Sequence, residues 1–337
     1  MEKKSKFKHP LREIVTPLNE EFPSKYWNIL GEFLNTAETI LQKKGLDIEQ
    51  YREGATSYAR LILKYLKTPP EFESYHKALR EPIDYYQVGN ELFSPMIDFT
   101  HSTLTGIENI KEIENSITSK ENVILFANHQ IEADPQAISL LLQNEFPKLA
   151  QDIIFVAGER VITDALAVPL SLGRNLFCIY SKKYFDTHAE RKTQMLEHNK
   201  KTISIVSQQL KEGGKCIYIA PSGGRDRPNK NGIVEVAPFD PQSIELLYLL
   251  GKKSGTPTHY YPLALSTHHI LPPPADLQID LGEARSTEEA PIHIAFGSEI
   301  NMEKFPESDN ADKVKRKLAR TAYIENLVRS MYQKFPN

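Results

Sequence analysis

The chain has 337 residues, of which 40% are hydrophobic and 25% are charged, and its formal net charge at pH 7 is −3. This composition is typical of a globular protein, and the slight acidity argues against a general nucleic-acid-binding protein. Two cysteines argue against a zinc cluster or a cystine scaffold, and no stretch approaches the roughly 20 apolar residues of a membrane-spanning helix. The basic start lacks an apolar signal region, so we expect a soluble, cytosolic protein.

The first 80 residues are predicted to be helical. Apolar residues recur at helical spacing in segments 24–44 and 47–67. Ser24 is the expected N-cap of the first segment and Gly45 its C-cap, and the second segment stops before Pro69 and Pro70. We therefore expect a small helical bundle domain over residues 1–80, without a constellation of reactive side chains.

Beyond residue 120, short β-branched and aromatic runs alternate with helical segments. The runs predicted to be strands are 122–127, 152–157, 175–180, 215–220, 259–265, 277–282 and 292–297. The segments predicted to be helices are 135–143, 191–213 and 311–335. This alternation predicts an α/β domain over residues 81–337, with a mixed, mostly parallel sheet flanked by helices.

The segment FANHQIEADPQAISLLL, residues 126–142, holds the first candidate site. A predicted strand ends at Asn128 and a helix begins at Pro135, which makes Asp134 the expected N-cap. An N-cap and a hydrogen-bonded turn histidine would account for Asp134 and His129 separately. As a pair they can bring a carboxylate against an imidazole, which fixes one tautomer and leaves the other ring nitrogen as a base.

The segment IAPSGGRDRPNKNG, residues 219–232, holds the second candidate site. In extended chain, Arg225 and Arg227 share one face, and two guanidinium groups there suit a phosphate dianion. A solvated basic loop that pairs partly with Asp226 is the alternative. No Lys-Ser or Lys-Thr follows the glycines, so a nucleotide-binding Walker loop is not indicated.

A third segment, residues 173–186, places Lys182 and Lys183 just after a predicted strand. As a pair they can equally be ordinary surface lysines. Ligands of open α/β sheets bind at the carboxyl ends of the strands. If these strands are parallel, Lys183 joins His129, Arg225 and Arg227 at one edge of the sheet.

Several stretches of this chain resemble the soluble, plastid-type glycerol-3-phosphate acyltransferases, which use acyl carrier protein thioesters. The matching stretches are 80–99, 128–143, 155–183, 219–228, 237–240 and 262–274. The combination of NHQIEADP with IAPSGGRDRP is specific, whereas the His-x4-Asp element alone identifies only the wider glycerolipid acyltransferase superfamily. The resemblance covers about residues 70 to 300 and, more loosely, the helical start.

The resemblance implies transfer of a fatty acyl group from acyl carrier protein or coenzyme A to the sn-1 hydroxyl of glycerol 3-phosphate, which gives lysophosphatidate. It makes His129 the general base and Asp134 its partner, and it places Lys183, Arg225 and Arg227 at the phosphate. The family has a histidine where this chain has Tyr184, which carries no charge at pH 7. No metal and no organic cofactor is expected.

Three further expectations concern the remaining parts of this reaction. Backbone amides near Ser222 and Gly223, or at the start of helix 135–143, are candidate oxyanion donors. Four apolar side chains are candidates for an acyl groove, although they can equally be core residues: Leu166, Val168, Leu170 and Leu172. A basic run can dock the acidic carrier protein, contact a membrane or simply face solvent: Lys313, Lys315, Arg316, Lys317 and Arg320.

Alternatives remain for the activity and for the location. A lysophosphatidate acyltransferase, or a non-catalytic module that binds acyl carrier protein or phospholipid, would keep the same fold. No nucleophilic serine elbow is present, so direct transfer is favoured over an acyl-enzyme. The short basic start favours a bacterial cytoplasmic enzyme with peripheral membrane contact at most, and a mature protein of the plastid stroma is the alternative. No nucleic-acid partner is expected.

Overall fold

A computed structural model of the protein describes residues 11–181, 185, 189–273 and 287–336. The α-helices of these ranges are numbered in chain order: α1 Leu11–Val15, α2 Ser24–Lys44, α3 Ile48–Lys67, α4 Tyr85–Phe93, α5 Ile107–Thr118, α6 Asp134–Leu142, α7 Pro147–Asp152, α8 Arg160–Thr163, α9 Val168–Ser171, α10 Lys192–Glu212, α11 Pro241–Ser254 and α12 Lys313–Tyr332. The strands are β1 Tyr75–His76, β2 Thr103–Thr105, β3 Asn122–Ala127, β4 Ile154–Gly158, β5 Asn175–Ile179, β6 Cys216–Ile219, β7 Arg227–Pro228, β8 Val234–Glu235, β9 Thr258–Ser266 and β10 His293–Phe296.

Eight of the described strands form one sheet in the order β1-β5-β4-β6-β3-β9-β10-β2. The five neighbours from β5 to β9 are parallel, whereas β1 and β10 pair antiparallel with them. Strand β3 is buried along its whole length, as expected for a central strand covered on both faces. The predicted α/β fold with a mixed, mostly parallel sheet is therefore confirmed.

The helices of the first 67 residues pack over one end of the α/β unit. Helix α2 buries Leu30, Leu34, Ala37 and Leu41, which recur at helical spacing. These side chains share a hydrophobic core with residues near the start of α6, including Ile131. The helical start is therefore in contact with the segment that carries His129, while the domain boundary at residue 80 stays a prediction.

Most predicted elements agree with the structure to within one or two residues at each end, and two predicted caps can be checked. Gly45 has φ +67°, a left-handed conformation that favours glycine, and it is the C-cap of α2. Ser24 is the first helical residue, and the N-cap position belongs to Pro23, so the predicted serine cap is wrong. The strand predicted at 277–282 lies outside the described residues.

Helix α12 runs toward the carboxyl edge of the sheet. Burial raises the pKa of Tyr332, its last residue, and the side chains of Gln130 and Ser266, which follow β3 and end β9, oppose the rise. Further back, the Nε–H of Arg320 donates to the carbonyl of Met302 (3.0 Å). At 1.5 Å per residue, the basic start of the helix therefore lies about 25 Å from Tyr332, toward the amino edge. In the described part of the chain, no helix combines the length and the apolar character needed to span a membrane.

Candidate active site

His129 and Asp134 are in contact at the carboxyl end of β3. The Nδ1–H of His129 donates to Oδ2 of Asp134 at 2.7 Å, because an ionised carboxylate can only accept. The histidine side chain is 30% exposed and the aspartate side chain 1%, so the pair has one dry side and one side open to solvent. This contact leaves Nε2 of His129 as the ring nitrogen that can take a proton from a bound molecule.

Asp134 is the first residue of α6 and not its N-cap, which is Ala133, so the predicted capping role is wrong. Its Oδ2 faces back into the preceding turn and accepts the backbone N–H groups of Gln130 (2.8 Å) and Ile131 (3.3 Å). Its Oδ1 accepts the hydroxyl of Thr267 at 2.5 Å, from the residue after β9. The carboxylate is therefore held by the turn that carries His129 and by a neighbouring strand end.

The arginine loop follows β6, the strand beside β3. Alternation along this extended segment exposes Arg225 and Arg227 partly and buries Asp226 completely. Arg227 then begins the short hairpin β7–β8, in which its backbone lies opposite that of Glu235. Arg225 donates to Oε1 of Glu132 at 3.3 Å, and Glu132 lies within the turn between His129 and Asp134. The structure thus brings the arginine loop directly against the histidine turn.

The Asp226 side chain is buried, whereas the alternative interpretation of this segment was a solvated loop that pairs partly with Asp226. Its Oδ2 accepts the side-chain amides of Asn128 (2.7 Å) and Gln130 (3.3 Å), and its Oδ1 accepts the N–H of Ala237 (2.8 Å). Burial raises the pKa of this carboxyl to about 6, although the three hydrogen bonds and the charge of His129 oppose the rise.

The turn before the arginines carries the two residues suggested as oxyanion donors. Gly223 has φ +61°, so the turn favours glycine there, and its N–H donates to the carbonyl of Ala220 at 3.1 Å. The hydroxyl of Ser222 donates to the carbonyl of Gly224 at 2.8 Å. The Gly223 amide is therefore already engaged within the turn.

Two of the predicted site residues cannot be placed. Lys183 and Tyr184, together with Lys182, lie outside the described residues. The strand that precedes them, β5, is parallel to β4 and ends at the same edge as β3 and β6. In the described part of the chain, no group of three or more histidine, cysteine, aspartate or glutamate side chains is arranged to hold a metal ion.

A second histidine, His268, lies near Asp134. Neither of its ring nitrogens has a hydrogen-bond partner among the described residues, and its backbone N–H donates to Oε1 of Gln130 at 3.0 Å. Burial lowers the pKa of His268, and the charge of His269 lowers it further, while Asp134 opposes both. His268 is therefore held in its neutral form.

An apolar cleft opens beside the histidine turn, between the helical start of the chain and the loop before α9. Its enclosed volume is about 40 Å³. Its lining residues come from both parts: Ile29, Leu30, Phe33, Tyr58, Phe93, Glu132, Asp164, Leu166, Leu170 and Leu271. Tyr58 of α3 donates to the carbonyl of Leu166 at 2.8 Å, which fixes one wall.

The four residues suggested for an acyl groove divide into two pairs. Leu166 and Leu170 line the cleft, whereas Val168 and Leu172 pack into the core beneath the sheet. A larger depression of about 770 Å³ lies elsewhere, around Thr258 and Glu303. Thr258 begins β9, so this depression belongs to the amino edge and is remote from His129.

The basic run at the start of α12 is only partly a surface feature. Lys313 and Lys315 are exposed, but Arg320 is 5% exposed and pairs with Glu245 at 2.5 Å. Its guanidinium also lies 4.2 Å from the ring centre of Tyr248. Arg320 is therefore a packing residue, and its inclusion in a docking surface was wrong.

Sequence reasoning missed the residues that hold this site together. They share near-complete burial and hydrogen bonds across strand ends: Asn128, Gln130, Asp226 and Thr267. Asn128 and Gln130 flank His129, and a polar residue on each side of a predicted base after a strand is the one signal that could have pointed to them. The role of Asp226 carried no signal, because an aspartate between arginines suggests local ion pairing.

Comparisons with known proteins bear on residues 101–266, which match the family model described as Acyltransferase. A chloroplastic glycerol-3-phosphate acyltransferase of Arabidopsis thaliana is 35% identical over 316 residues, which is 92% of this chain and 66% of the relative. One of Cucurbita moschata is 41% identical over 244 residues, 72% of this chain and 53% of the relative. The chain thus spans between half and two thirds of the length of these curated relatives.

A solved structure, that of the 1-acyl-sn-glycerophosphate acyltransferase of Thermotoga maritima, aligns with 74% of this chain and 78% of its own. The sequence identity is 15% and the TM-score 0.40. The matched family segment contains His129, Asp134, Arg225 and Arg227. The chain is thus similar over most of its length to the plant chloroplastic glycerol-3-phosphate acyltransferases, and its residues 101–266 match the Acyltransferase family model.

Proposed function

We propose that this protein is an enzyme that transfers a fatty acyl group from a thioester to the sn-1 hydroxyl of glycerol 3-phosphate. The observation that carries the proposal is the contact between two loops of neighbouring strands. One loop holds an imidazole paired with a buried carboxylate, and the other holds two arginines. A base beside cations suits a substrate that has both a hydroxyl and a phosphate, and the plant relatives are named for acting on such a substrate.

The first step is removal of the hydroxyl proton. Nε2 of His129 accepts this proton as the substrate oxygen attacks the thioester carbonyl, and a base so placed contributes about 10²- to 10⁴-fold. The Asp134 carboxylate, 2.7 Å from Nδ1, stabilises the imidazolium that forms. As the tetrahedral intermediate collapses, the C–S bond breaks and the imidazolium returns the proton to the departing thiolate.

Arg225 and Arg227 hold the phosphate in this proposal, and Lys183 is the third cation drawn from the sequence. Binding the phosphate fixes which carbon bears the hydroxyl that reaches His129, because the molecule has only three carbons between the two groups. This is catalysis by orientation. Tyr184 would add a hydrogen-bond donor in place of a charge.

The oxyanion of the intermediate needs donors near the thioester carbon. The Gly223 amide already donates within its turn, so this role fits Ser222 or the first turn of α6 better. Helix α6 begins at Asp134, which places its positive end beside the catalytic pair.

The acyl chain occupies the apolar cleft in this proposal. Leu166 and Leu170 line it, and Glu132 of the histidine turn lies at its wall. A chain leaving the thioester carbon near His129 would pass Glu132 as it enters the cleft. Each methylene that the cleft buries contributes about 0.8 kcal/mol of binding energy.

The acyl donor and any membrane contact are finer proposals. Acyl carrier protein and coenzyme A both supply a thioester. A carrier docked at the start of α12 would lie at the sheet edge opposite His129. The start of α12 is therefore a poor candidate for the docking surface of the acyl donor. Membrane contact fits it better, because Val314 and Leu318 are 66% and 52% exposed among lysines. The plant relatives are named chloroplastic, and on that ground we place the reaction in a plastid stroma.

The deciding assay incubates the purified full chain with glycerol 3-phosphate and a long-chain acyl thioester on either carrier. We expect lysophosphatidate acylated at the sn-1 carbon, identified by NMR of the product. No transfer with either donor would refute the proposal, and transfer to lysophosphatidate instead would identify the alternative activity. His101→Ala is the matched control, because His101 forms an exposed imidazole–carboxylate pair with Asp98 (2.6 Å).

A further inference from the structure

Asp226 is a carboxylate without a role in the reaction as proposed, yet it is fully buried beside His129. It accepts three hydrogen bonds, from Asn128 (2.7 Å), Gln130 (3.3 Å) and the backbone of Ala237 (2.8 Å). Two of these donors are the immediate neighbours of His129 in the chain. A buried carboxylate is costly unless such bonds are made, so its presence here calls for a reason.

The backbone of Asp226 makes a fourth link. Its N–H donates to the carbonyl of His129 at 2.6 Å. The Asp226 carboxylate therefore accepts hydrogen bonds from the side chains of Asn128 and Gln130, and its backbone N–H donates to the backbone carbonyl of His129. No rotation or slide of the arginine loop past the histidine turn can occur without breaking several of these bonds together.

The neighbours of Asp226 in the chain are Arg225 and Arg227, whose side chains are partly exposed. In extended chain, the side chains on either side of a buried residue point away from the interior. Fixing Asp226 inward therefore fixes both arginines outward. The distance between the guanidinium groups and Nε2 of His129 is then set by the links through Asp226.

A further contact between the loops lies nearer the surface. Arg225 meets Glu132 at 3.3 Å, and the two side chains are 10% and 29% exposed. The inner links are dry, because Asn128, Gln130 and Asp226 are each 0% exposed. Tyr218 adds to them by donating to the carbonyl of Asn128 at 2.8 Å.

We infer that Asp226 is a positioning residue that sets the spacing between the phosphate-binding arginines and the base. The inference rests on the proposed function. Asp226 touches neither the substrate nor the reacting atoms. It increases the preference of the enzyme for an acceptor that carries a phosphate. A substrate that spans the two loops gains from their fixed spacing, whereas an acceptor that needs only the base does not.

The test is Asp226→Asn, which keeps the size of the side chain. The asparagine has one accepting oxygen, so its NH₂ group must face either the Asn128 and Gln130 amides or the Ala237 N–H. The loops then lose their spacing. We expect kcat/KM for glycerol 3-phosphate to fall about 10- to 100-fold, and kcat/KM for glycerol to fall much less. The ratio of the two values measures the positioning directly.

Two more variants complete the design. In a protein that also carries Arg225→Ala, Asp226→Asn should lower this ratio less than it does alone, because one of the two positioned groups is already gone. Asp312→Asn is the matched control, since Asp312 caps α12 with two backbone hydrogen bonds at the opposite edge, and it should leave the ratio unchanged. Asp226→Ser, which brings in no NH₂ group, replaces the asparagine variant if that one does not fold.

Two results for Asp226→Asn would overturn the inference. One is an equal loss of kcat/KM for glycerol and for glycerol 3-phosphate, and the other is a lower melting temperature with an unchanged ratio of these two kcat/KM values. Calorimetric binding of glycerol 3-phosphate separates this outcome from failure of the proposed function. If the wild type transfers no acyl group but binds the ligand, Asp226→Asn should still weaken binding about 10-fold or more. Unchanged affinity would refute the positioning role by itself.

Discussion

Replacing Asp134 by asparagine should separate the charge of this residue from its geometry. The present carboxylate accepts His129, Gln130 and Ile131 on Oδ2 and the hydroxyl of Thr267 on Oδ1. An asparagine can keep its oxygen toward the first three donors. Its NH₂ group then faces the Thr267 hydroxyl, which can rotate to accept. The tautomer of His129 and the turn should therefore survive, and only the negative charge is lost.

The cost of that loss follows from the distance. With nitrogen and oxygen 2.7 Å apart, the charge centres of imidazolium and carboxylate lie about 4 Å apart. At an effective dielectric constant of about 20, their attraction is about 4 kcal/mol. The amide oxygen recovers part of it, and His129 is 30% exposed, which screens the remainder. A net loss of about 3 kcal/mol in the transition state corresponds to a fall in kcat of about 100-fold.

The assay compares kcat, the KM for glycerol 3-phosphate and the melting temperature of the wild type and Asp134→Asn. We expect kcat to fall about 100-fold while KM stays within about threefold, because the arginine loop is untouched. The control is Asp98→Asn, since Asp98 also accepts a histidine Nδ1 and two backbone N–H groups, and it precedes β2, which is three strands from β3 in the sheet. A kcat within fivefold of the wild type would refute charge stabilisation by Asp134.

Four other outcomes are expected. His129→Ala should abolish measurable transfer while calorimetry shows nearly unchanged binding of glycerol 3-phosphate, and near-normal turnover would refute the base. Arg225→Ala should raise the KM for glycerol 3-phosphate at least 10-fold, since a hydrogen bond to a charged group is worth about 1.5–3 kcal/mol, and an unchanged value would remove this arginine from the phosphate site. Leu166→Trp should fill the cleft and slow transfer from long-chain donors more than from acetyl donors, and equal effects would place the acyl chain elsewhere. Burial raises the pKa of Asp226 to about 6, above its value in the unfolded chain, so the stability that this residue contributes below about pH 4 is lost as the pH rises through 6. Relative to Asp226→Asn, the free energy of unfolding measured in urea should therefore fall by up to about 3 kcal/mol over that range. Parallel pH profiles of the two proteins would contradict this.

Elements with strong local periodicity could be predicted well from the sequence. The strand predicted at 122–127 is β3 without a change of boundary, because five consecutive apolar or small residues between two asparagines suit a strand buried on both faces. Helix α4, Tyr85–Phe93, was missed. Its nine residues are shorter than the window over which helical periodicity is recognised, and Gly89 and the polar Asn90 interrupt its buried face.

The site could be predicted where the reacting groups lie within one loop. His129 and Asp134 are five residues apart, and their contact follows from the strand-to-turn-to-helix reading. The hydrogen bond from Thr267 to Asp134 joins residues 133 positions apart, and no local pattern encodes it. The inward side chain of Asp226 could not be foreseen either, because its partners flank His129 on another strand.

The candidate site is assembled from distant parts of the chain, and this has a consequence for folding. Asn128 bonds to Asp226 across 98 positions and to Leu265 across 137 positions. Contacts of such large sequence separation close late, since the entropy of long loops must be overcome first. A partly folded chain can contain β3 and the helices beside it while the histidine and the arginines are not yet at their native distance from each other. Recovery of acyl transfer during refolding would therefore lag behind recovery of helical circular dichroism, and catalysis would report on completion of the whole sheet.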